Sequence, residues 1–245
     1  MIADRNQGVV TAAPARSLWA VTSYFNPIGY SRRLLNYRTF RSRLAVPLVT
    51  VELARERSRF QLRPDDADVL IQVSGEDLLW QKERLLNVAL GALPRECREV
   101  VWLDCDVVFA GDEWPHRVRQ TLASVPLLQP FARVYELARG ATPEDPDLAR
   151  SPRTGHSLAR LLPEVSSAAD LLRTNGKHPT LGMFKVGFAW AARRALLEAH
   201  GIYDGCIVGG GDHAFAVAAL GCFDSLRKLH LNERQTVHYL AWAEP

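Results

Sequence analysis

The segment Val100-Val101-Trp102-Leu103-Asp104-Cys105-Asp106-Val107-Val108-Phe109 is an apolar run that two carboxylates interrupt. An apolar run of this length without alternation predicts a buried strand that is covered on both faces. Carboxylates are strongly disfavoured in a dry environment, so Asp104 and Asp106 indicate a divalent cation or a water-filled cleft at the carboxyl edge of this strand. A solvated turn is the simpler alternative, because Asp-x-Asp is short and common.

Strand and helix patterns alternate on the amino-terminal side of this segment. Strands are predicted at 18–25, 47–53 and 68–73, and helices at 30–44 and 79–90. Asn26-Pro27 ends the first strand, and Leu93-Pro94 closes the second helix. This order predicts an α/β sheet with parallel neighbouring strands, on which the connecting helices pack.

The carboxyl-terminal side is more varied. The patterns predict a short helix at 118–122, a strand at 126–131, an exposed loop or partial lid at 139–156, helical material at 158–172, a strand at 181–190 and a helix at 191–200. Gly209-Gly210-Gly211-Asp212-His213 then leads into an apolar helix at 214–220. Asp212 stands where an N-cap is expected, and a capping role and a functional role both fit it.

Length and composition limit the possibilities. The 245 residues are 47% hydrophobic, which is enough to bury one large core, and the net charge of +3 does not by itself indicate a nucleic-acid or membrane partner. The four cysteines are scattered, and no apolar stretch reaches transmembrane length. We therefore expect a flexible tail at 1–16, a single domain at 17–245 and a soluble, cytoplasmic protein.

The first predicted helix is strongly basic. It carries Arg32, Arg33, Arg38, Arg41 and Arg43, and no acidic residue occurs between Phe25 and Glu52. Such a cluster can receive phosphate groups at a cleft, or it can simply form a solvated helix face.

Several of these segments together resemble a GT-A glycosyltransferase, most closely of the beta-1,4-galactosyltransferase type. In that family a helix with the pattern of Trp80-Gln81-Lys82-Glu83-Arg84-Leu85-Leu86-Asn87 precedes a strand ending in Asp-x-Asp, here Asp104-Cys105-Asp106. The order continues with Gly187-Phe188-Ala189-Trp190, Gly201-Ile202-Tyr203-Asp204 and Gly209-Gly210-Gly211-Asp212. The resemblance covers roughly residues 18–240. It implies a Rossmann-like α/β/α sandwich with a mostly parallel central sheet, a donor half at about 17–110 and an acceptor half at about 111–245.

The resemblance also implies a donor site and a metal site. Asp106 would bind Mn²⁺ (or Mg²⁺) directly, Asp104 would hold the donor ribose or a metal-bound water, and His238 matches a late metal-binding histidine, although a structural histidine fits equally well. Trp80 matches an aromatic residue that stacks on the base, and Lys82 a basic residue near the diphosphate. The donor, expected to be a UDP-sugar, would be bound by Thr22, Asn26, Arg32, Trp80, Lys82, Asp104 and Gly187.

On the acceptor side, Asp212 matches the carboxylate that deprotonates the acceptor hydroxyl. Gly209, Gly210 and His213 would line the acceptor site. The chain departs from the family here: Gly211 replaces a glutamate beside the base, Val208 replaces an acceptor-facing tryptophan, and His213 replaces an acidic residue.

The chemistry explains why these residue types are needed. A diphosphate leaving group gains negative charge that a cation held by oxygen ligands can neutralise, and a hydroxyl attacks well only after a base takes its proton. We therefore expect a metal-dependent glycosyltransferase that acts by a single, inverting displacement on a glycan or other hydroxyl acceptor, with no nucleic-acid partner.

Two alternatives remain open from the sequence. Asp104-Cys105-Asp106-Val107-Val108 also fits the nucleophile motif of a haloacid-dehalogenase-like phosphohydrolase, although that motif normally opens the domain and Ala216 stands where a late acid is expected. A non-catalytic nucleotide-sugar-binding module would fit the departures at Val208, Gly211 and His213.

Overall fold

A computed structural model describes residues 17–75, 79, 81–174, 176–206 and 209–244. Within these residues the strands are β1 (Leu18–Phe25), β2 (Leu48–Ala54), β3 (Val69–Ser74), β4 (Glu99–Leu103), β5 (Leu127–Leu128), β6 (Arg133–Glu136), β7 (Arg153–Ser157), β8 (Lys177–His178), β9 (Gly182–Lys185) and β10 (Ala189–Arg193). The helices are α1 (Ser31–Arg43), α2 (Lys82–Gly91), α3 (Trp114–Leu122), α4 (Leu158–Leu161), α5 (Ala168–Leu172), α6 (Arg194–His200), α7 (Gly211–Ala219) and α8 (Glu233–Ala243).

The central sheet has six strands in the order β3-β2-β1-β4-β10-β5. β1 runs parallel to β2 and β4, and β2 runs parallel to β3, whereas β10 pairs antiparallel with β4 and β5. The carboxyl ends of β1 and β4 therefore meet at one edge of the sheet, which is where an α/β sheet places its ligands. A smaller sheet has the order β6-β7-β9-β8.

The central sheet is covered on both faces, and alternate residues of each strand enter different cores. Trp19 and Trp102 face one core, which also contains side chains of α2 and of α4 to α8. Leu18 and Leu103 face the other core, which contains side chains of α1 and α3. This α/β/α arrangement with a mostly parallel central sheet confirms the predicted fold class.

The strand predicted at 100–109 is shorter in the structure. β4 ends at Leu103, and the Asp104 N–H then donates to the Phe188 carbonyl at 2.9 Å. The chain turns next, since the Val107 N–H donates to the Asp104 carbonyl at 3.2 Å. The apolar residues beyond the acids misled the prediction because they pack against a helix instead: the Phe109 ring stacks on Trp114 of α3 at 4.3 Å.

Other differences follow from chain reversals that composition does not reveal. The strand predicted at 181–190 is divided between β9 of the small sheet and β10 of the central sheet. The helical material at 158–172 is split into α4 and α5 by a 3₁₀ turn that contains Pro163. The exposed loop predicted at 139–156 ends in β7.

Among the described residues no helix combines the length and the apolarity that crossing a membrane requires. The four cysteines all lie in this part of the chain and are free thiols.

Candidate functional site

Lys82, the first residue of α2, connects two carboxylates that lie far apart in sequence. Its Nζ lies 2.6 Å from Asp104 Oδ1 and 3.1 Å from Asp212 Oδ2. Although burial lowers the pKa of an ammonium, the charges of Asp104 and Asp212 more than offset this effect and raise the pKa of Lys82. Lys82 is therefore a permanent cation between the end of β4 and the start of α7.

The fold explains why these three side chains meet. Asp104 follows the last residue of β4, so it lies at the carboxyl edge of the parallel strands. α2 packs along β1 and β2, which directs its amino end toward the same edge. Asp212 lies in the first turn of α7, where a negative charge interacts favourably with the helix dipole.

Asp212 is not the N-cap of its helix, contrary to the local sequence pattern. α7 begins at Gly211, three residues before the predicted helix at 214–220, and Gly210 is the N-cap with a φ of 93°. The simple capping interpretation of Asp212 is therefore wrong, and its carboxylate is directed to Lys82 instead.

Two glycines make room for carboxylates at this site. A Cβ on Gly187 would overlap the carboxylate of Asp212, and a Cβ on Gly211 would overlap the carboxylate of Glu83. The residue after Gly187, Phe188, has a φ of 73°, which is unusual for a residue other than glycine. The structure thus places Gly187, a predicted donor-binding residue, directly against the predicted base.

Glu83 is a member of the site that the sequence interpretation missed. Glu83 is buried, and desolvation raises the pKa of its carboxyl. The negative charges of Asp212 and Asp104 raise this pKa further, whereas the positive charge of Lys82 lowers it. Two features of the sequence could have indicated Glu83: it directly follows Lys82, and Gly211 stands where the resembled family has a glutamate. The structure brings the acid from α2 to the space that Gly211 leaves.

Asp106 lies beyond the strand end and remains accessible to solvent. Partial desolvation and the negative charge of Asp104 raise the pKa of Asp106, whereas Arg33 and Lys82 act in the opposite direction. Arg33 of α1 therefore carries a charge that acts on Asp106. Arg32, which the sequence favoured, is exposed in the first turn of α1.

The side chains of Thr22 and Asn26 form hydrogen bonds within the protein. Thr22 is fully buried, and its hydroxyl donates to the Leu103 carbonyl at 2.7 Å, which ties β1 to β4 just before the acid pair. The Asn26 amide nitrogen donates to Gln61 Oε1 at 2.8 Å and to the Tyr30 carbonyl at 3.0 Å, and its Oδ1 accepts from the Tyr30 N–H. Both side chains are engaged in hydrogen bonds within the protein, and their direct contact with a donor stays a prediction.

His238 is exposed on α8, where its Nδ1 lies 3.4 Å from the Tyr203 hydroxyl. In the part of the chain that the structure describes, no group of three or more His, Cys, Asp or Glu side chains is arranged to hold a metal ion. The acid pair and His238 are thus not assembled into one ligand set, and a metal site here needs oxygen ligands from another source.

The predicted acceptor residues lie around the start of α7. Gly209 and Gly210 are exposed and have φ values of 97° and 93°, which favour glycine. His213 follows Asp212 in the first turn of α7. Trp80 and Val208, which the sequence linked to the donor base and to the acceptor, lie outside the described residues.

Asn87 connects α2 to the carboxyl-terminal half. Its Nδ2 donates to the Ile202 carbonyl at 2.7 Å, and its Oδ1 accepts from the Ile202 N–H at 2.8 Å. The last residue of the Trp80–Asn87 motif thus fixes the segment that leads toward α7, while Lys82 and Glu83 enter the site.

The sequence matches no protein-family model, and no curated protein matches it significantly. Solved structures with a similar fold include residues 1–349 of Staphylococcus aureus TarS (14% identity, TM-score 0.43, covering 93% of this chain and 70% of that one). A mannosyltransferase from Pyrobaculum calidifontis, solved with GDP-Man and Mn²⁺, is 16% identical, with a TM-score of 0.40 and coverage of 86% of this chain and 54% of that one. Glucosyl-3-phosphoglycerate synthase from Mycobacterium tuberculosis, solved with Mn²⁺, UDP and phosphoglyceric acid, is 14% identical, with a TM-score of 0.39 and coverage of 87% and 65%. At these identities and TM-scores the likeness concerns the fold alone, and the beta-1,4-galactosyltransferase resemblance stays a prediction.

Proposed function

We propose that the protein is a metal-dependent glycosyltransferase that moves a sugar from a nucleotide-diphosphate sugar, preferably a UDP-sugar, to an acceptor hydroxyl with inversion. The observation that carries this proposal is the bridge from Asp104 through Lys82 to Asp212. It brings an acid from the end of a parallel strand and an acid from the start of α7 into contact with one ammonium. A transferase of this kind needs a leaving-group side and a base side within one site.

Asp212 is assigned the role of general base. Its carboxylate lies in the first turn of α7, is closely approached by Gly187 and is in contact with the Lys82 ammonium. The acceptor hydroxyl would lie against the free face of this carboxylate, lose its proton as it attacks the sugar carbon, and displace the diphosphate from the other side of that carbon.

Lys82 and Arg33 are assigned to the leaving group. Both are positive, and their charges act on Asp106 at the strand end, so they lie on the donor side of the site. A diphosphate that leaves there gains negative charge in the transition state, which fixed positive charges stabilise. The ion pair with Asp104 holds the Lys82 ammonium at the end of β4.

The residues present fit a divalent cation held jointly with the donor. Asp104 and Asp212 contact Lys82, and Glu83 and Asp106 are two further carboxylates of the site. Desolvation and then the negative charge of Asp104 raise the pKa of Asp106, so a cation beside Asp106 would be favourable. Mg²⁺ and similar ions are commonly held by one or two carboxylates together with substrate phosphates, which agrees with the lack of a three-ligand cluster among the described residues. Asp106 and Asp104 would hold the ion, which would neutralise charge on the leaving diphosphate.

The proposal is tested by thermal-shift measurements with nucleotide diphosphates and nucleotide sugars, with and without Mn²⁺. A ligand that binds only the folded protein raises the melting temperature, so we expect a rise with one nucleotide that depends on Mn²⁺. Asp106→Asn removes a charge at nearly constant volume and should abolish both the Mn²⁺ dependence and sugar transfer while the fold survives. Calorimetry that shows unchanged Mn²⁺ binding in Asp106→Asn would contradict the assignment.

The same panel separates the alternatives. Metal-dependent release of phosphate from simple phosphomonoesters, without nucleotide binding, would favour a phosphohydrolase. Nucleotide binding with no transfer to any of a set of sugar acceptors would favour a binding module. For an active enzyme, the anomeric configuration of the product, measured by NMR, tests inversion.

A further inference from the structure

A cavity of about 540 Å³ lies at the amino end of β4. It is distant from Glu83, Asp104, Asp106 and Asp212, which we call the carboxylate cluster. It is bounded by the loop before β4, the carboxyl end of α3 and the start of α6. Glu99 begins β4 and Asp104 follows its last residue, so the rise of a strand places the two about 15 Å apart. The cavity and the carboxylate cluster therefore lie at opposite edges of the central sheet.

Arginine dominates the lining of this cavity. Two glutamates, Glu99 and Glu198, and five arginines line it, which gives the lining a charge of +3; the arginines are Arg95, Arg98, Arg119, Arg193 and Arg194. The volume lies within the range of small-molecule sites. These positive charges attract an anion that enters the cavity.

Two of the arginines are oriented by hydrogen bonds to backbone carbonyls. Arg193 donates from Nε to the Leu122 carbonyl at 2.7 Å and from Nη2 to the Ala123 carbonyl at 2.9 Å, which are the last carbonyls of α3. Arg194 donates to the Pro94 carbonyl and pairs with Glu198 at 2.7 Å. Carbonyl bonds orient the Arg193 guanidinium but leave its charge uncompensated.

The other three arginines, Arg95, Arg98 and Arg119, are exposed, and no carboxylate in the described part of the chain forms an ion pair with them. Glu99, the lining glutamate that does not pair with Arg194, forms no ion pair with these three arginines in the described part of the chain either. Glu99 Oε2 is buried and accepts no hydrogen bond from the described residues. Free guanidinium groups around a fixed arginine are suited to phosphate, which arginine binds through two parallel hydrogen bonds.

We propose that this arginine cavity binds a small, soluble phosphorylated compound at a site separate from the donor site. The phosphate groups would lie between Arg95, Arg98 and Arg119, with Arg193 as the fixed floor.

The test uses pyrophosphate as the probe, with EDTA present so that no divalent ion supports binding at Asp104 and Asp106. Calorimetry on the full chain should show binding that weakens as salt is raised. Because a charge-assisted hydrogen bond contributes enough for about a tenfold change in affinity, Arg95→Gln with Arg119→Gln should weaken binding by about tenfold or more. Both side chains are exposed and without ion pairs in the described part of the chain, so circular dichroism should show an unchanged fold.

Arg117→Gln is the matched control, because Arg117 is an exposed arginine of α3 that does not line the cavity. It should leave pyrophosphate binding unchanged, and so should Asp106→Asn, which affects the proposed donor site. Equal affinity in the wild type and the double variant, or an equal loss in Arg117→Gln, would overturn the proposal. Binding to vesicles of phosphatidic acid and phosphatidylcholine without any binding of pyrophosphate would also overturn it, in favour of a lipid headgroup.

Discussion

At the scale of single residues, the site depends on which carboxylate contacts which neighbour. Asp212 is held by Lys82 and closely approached by Gly187, whereas Glu83 lies in the space beside Gly211. The two acids are therefore distinguished by their surroundings: Asp212 has a cation as a partner, and burial raises the pKa of Glu83. Two acids in different environments are suited to different tasks.

Asp212→Asn should lower sugar transfer by about 10² to 10⁴, because an amide cannot accept a proton from the acceptor hydroxyl. The helix should be unaffected, since Asp212 is not the N-cap. Donor binding should hardly change, as a base acts mainly in the transition state. Transfer and donor hydrolysis are measured separately, with Asp224→Asn as the control. Transfer at the wild-type rate would exclude Asp212 as the base and direct attention to Asp204.

Glu83→Gln should raise the melting temperature at about pH 7 to 8. The pKa of Glu83 is raised by desolvation and by Asp212 and Asp104, with Lys82 opposing, so the folded state binds the proton more tightly than the unfolded chain, in which the value is near 4.5. Ionisation of Glu83 therefore destabilises the fold increasingly as pH rises above about 4.5, and the effect is complete above the raised pKa.

The measurement is a series of melting curves for the wild type and Glu83→Gln between about pH 4 and pH 8. The gain of the variant should shrink as pH falls and vanish near pH 4, where the wild-type carboxyl is protonated in both states. A difference in melting temperature that is independent of pH would contradict this account and would indicate a change in packing against Gly211.

At the scale of secondary-structure elements, α2 organises the site. Lys82 and Glu83 at its amino end enter the cluster, and Asn87, one turn further on, forms both hydrogen bonds of the Ile202 peptide group. One helix thus sets the positions of the acids and of the segment that leads to α7. The sequence indicated α2 through its leucine spacing, but not the partner of Asn87.

Asn87→Ala should lower the free energy of unfolding by about 1 to 3 kcal/mol, because it leaves the N–H and the C=O of Ile202 without their partner. Val88→Ala is the control on the same helix, since Val88 is 42% exposed and should cost little. Urea unfolding measures both. Equal small losses in the two variants would show that water replaces the Asn87 side chain.

At the scale of the whole molecule, β10 joins the two halves of the chain. It inserts antiparallel between β4 and β5, and its Trp190 is buried against Trp102 of β4 and Phe215 of α7. The Trp190 Nε1–H also donates to the Val186 carbonyl at 2.7 Å, just before Gly187. The Trp190 side chain therefore packs in the core beneath the carboxylate cluster and also holds the loop beside Asp212.

Trp190→Ala should lower the free energy of unfolding by about 3 to 5 kcal/mol, the usual effect of removing a buried aromatic side chain. Trp190→Phe keeps a ring but loses the hydrogen bond to Val186, so it should cost less. Chemical unfolding monitored by circular dichroism gives both values. If Trp190→Ala unfolds at the wild-type midpoint, the two halves are held together by other contacts.

The sequence by itself determined the α/β fold class, because the apolar runs and the turn residues that end them act locally. The strand 18–25 was predicted with the bounds that the structure gives, since Asn26-Pro27 stops it whatever the rest of the chain does. The same local signals found Asp104, Asp106 and Asp212 as acids in unusual places. They overestimated the length of β4, because an apolar run does not reveal that Phe109 packs on Trp114 of α3.

Only the tertiary structure decided how these acids are used. The Lys82–Asp212 contact joins residues 130 positions apart, and it exists because the parallel strands end at one edge of the sheet while α7 returns to that edge. The place of Glu83 beside Gly211, and the arginines that surround the cavity at the opposite edge, are products of the same folding. Periodicity records which face of an element is buried, whereas the pairing of distant polar side chains depends on how the elements meet in space.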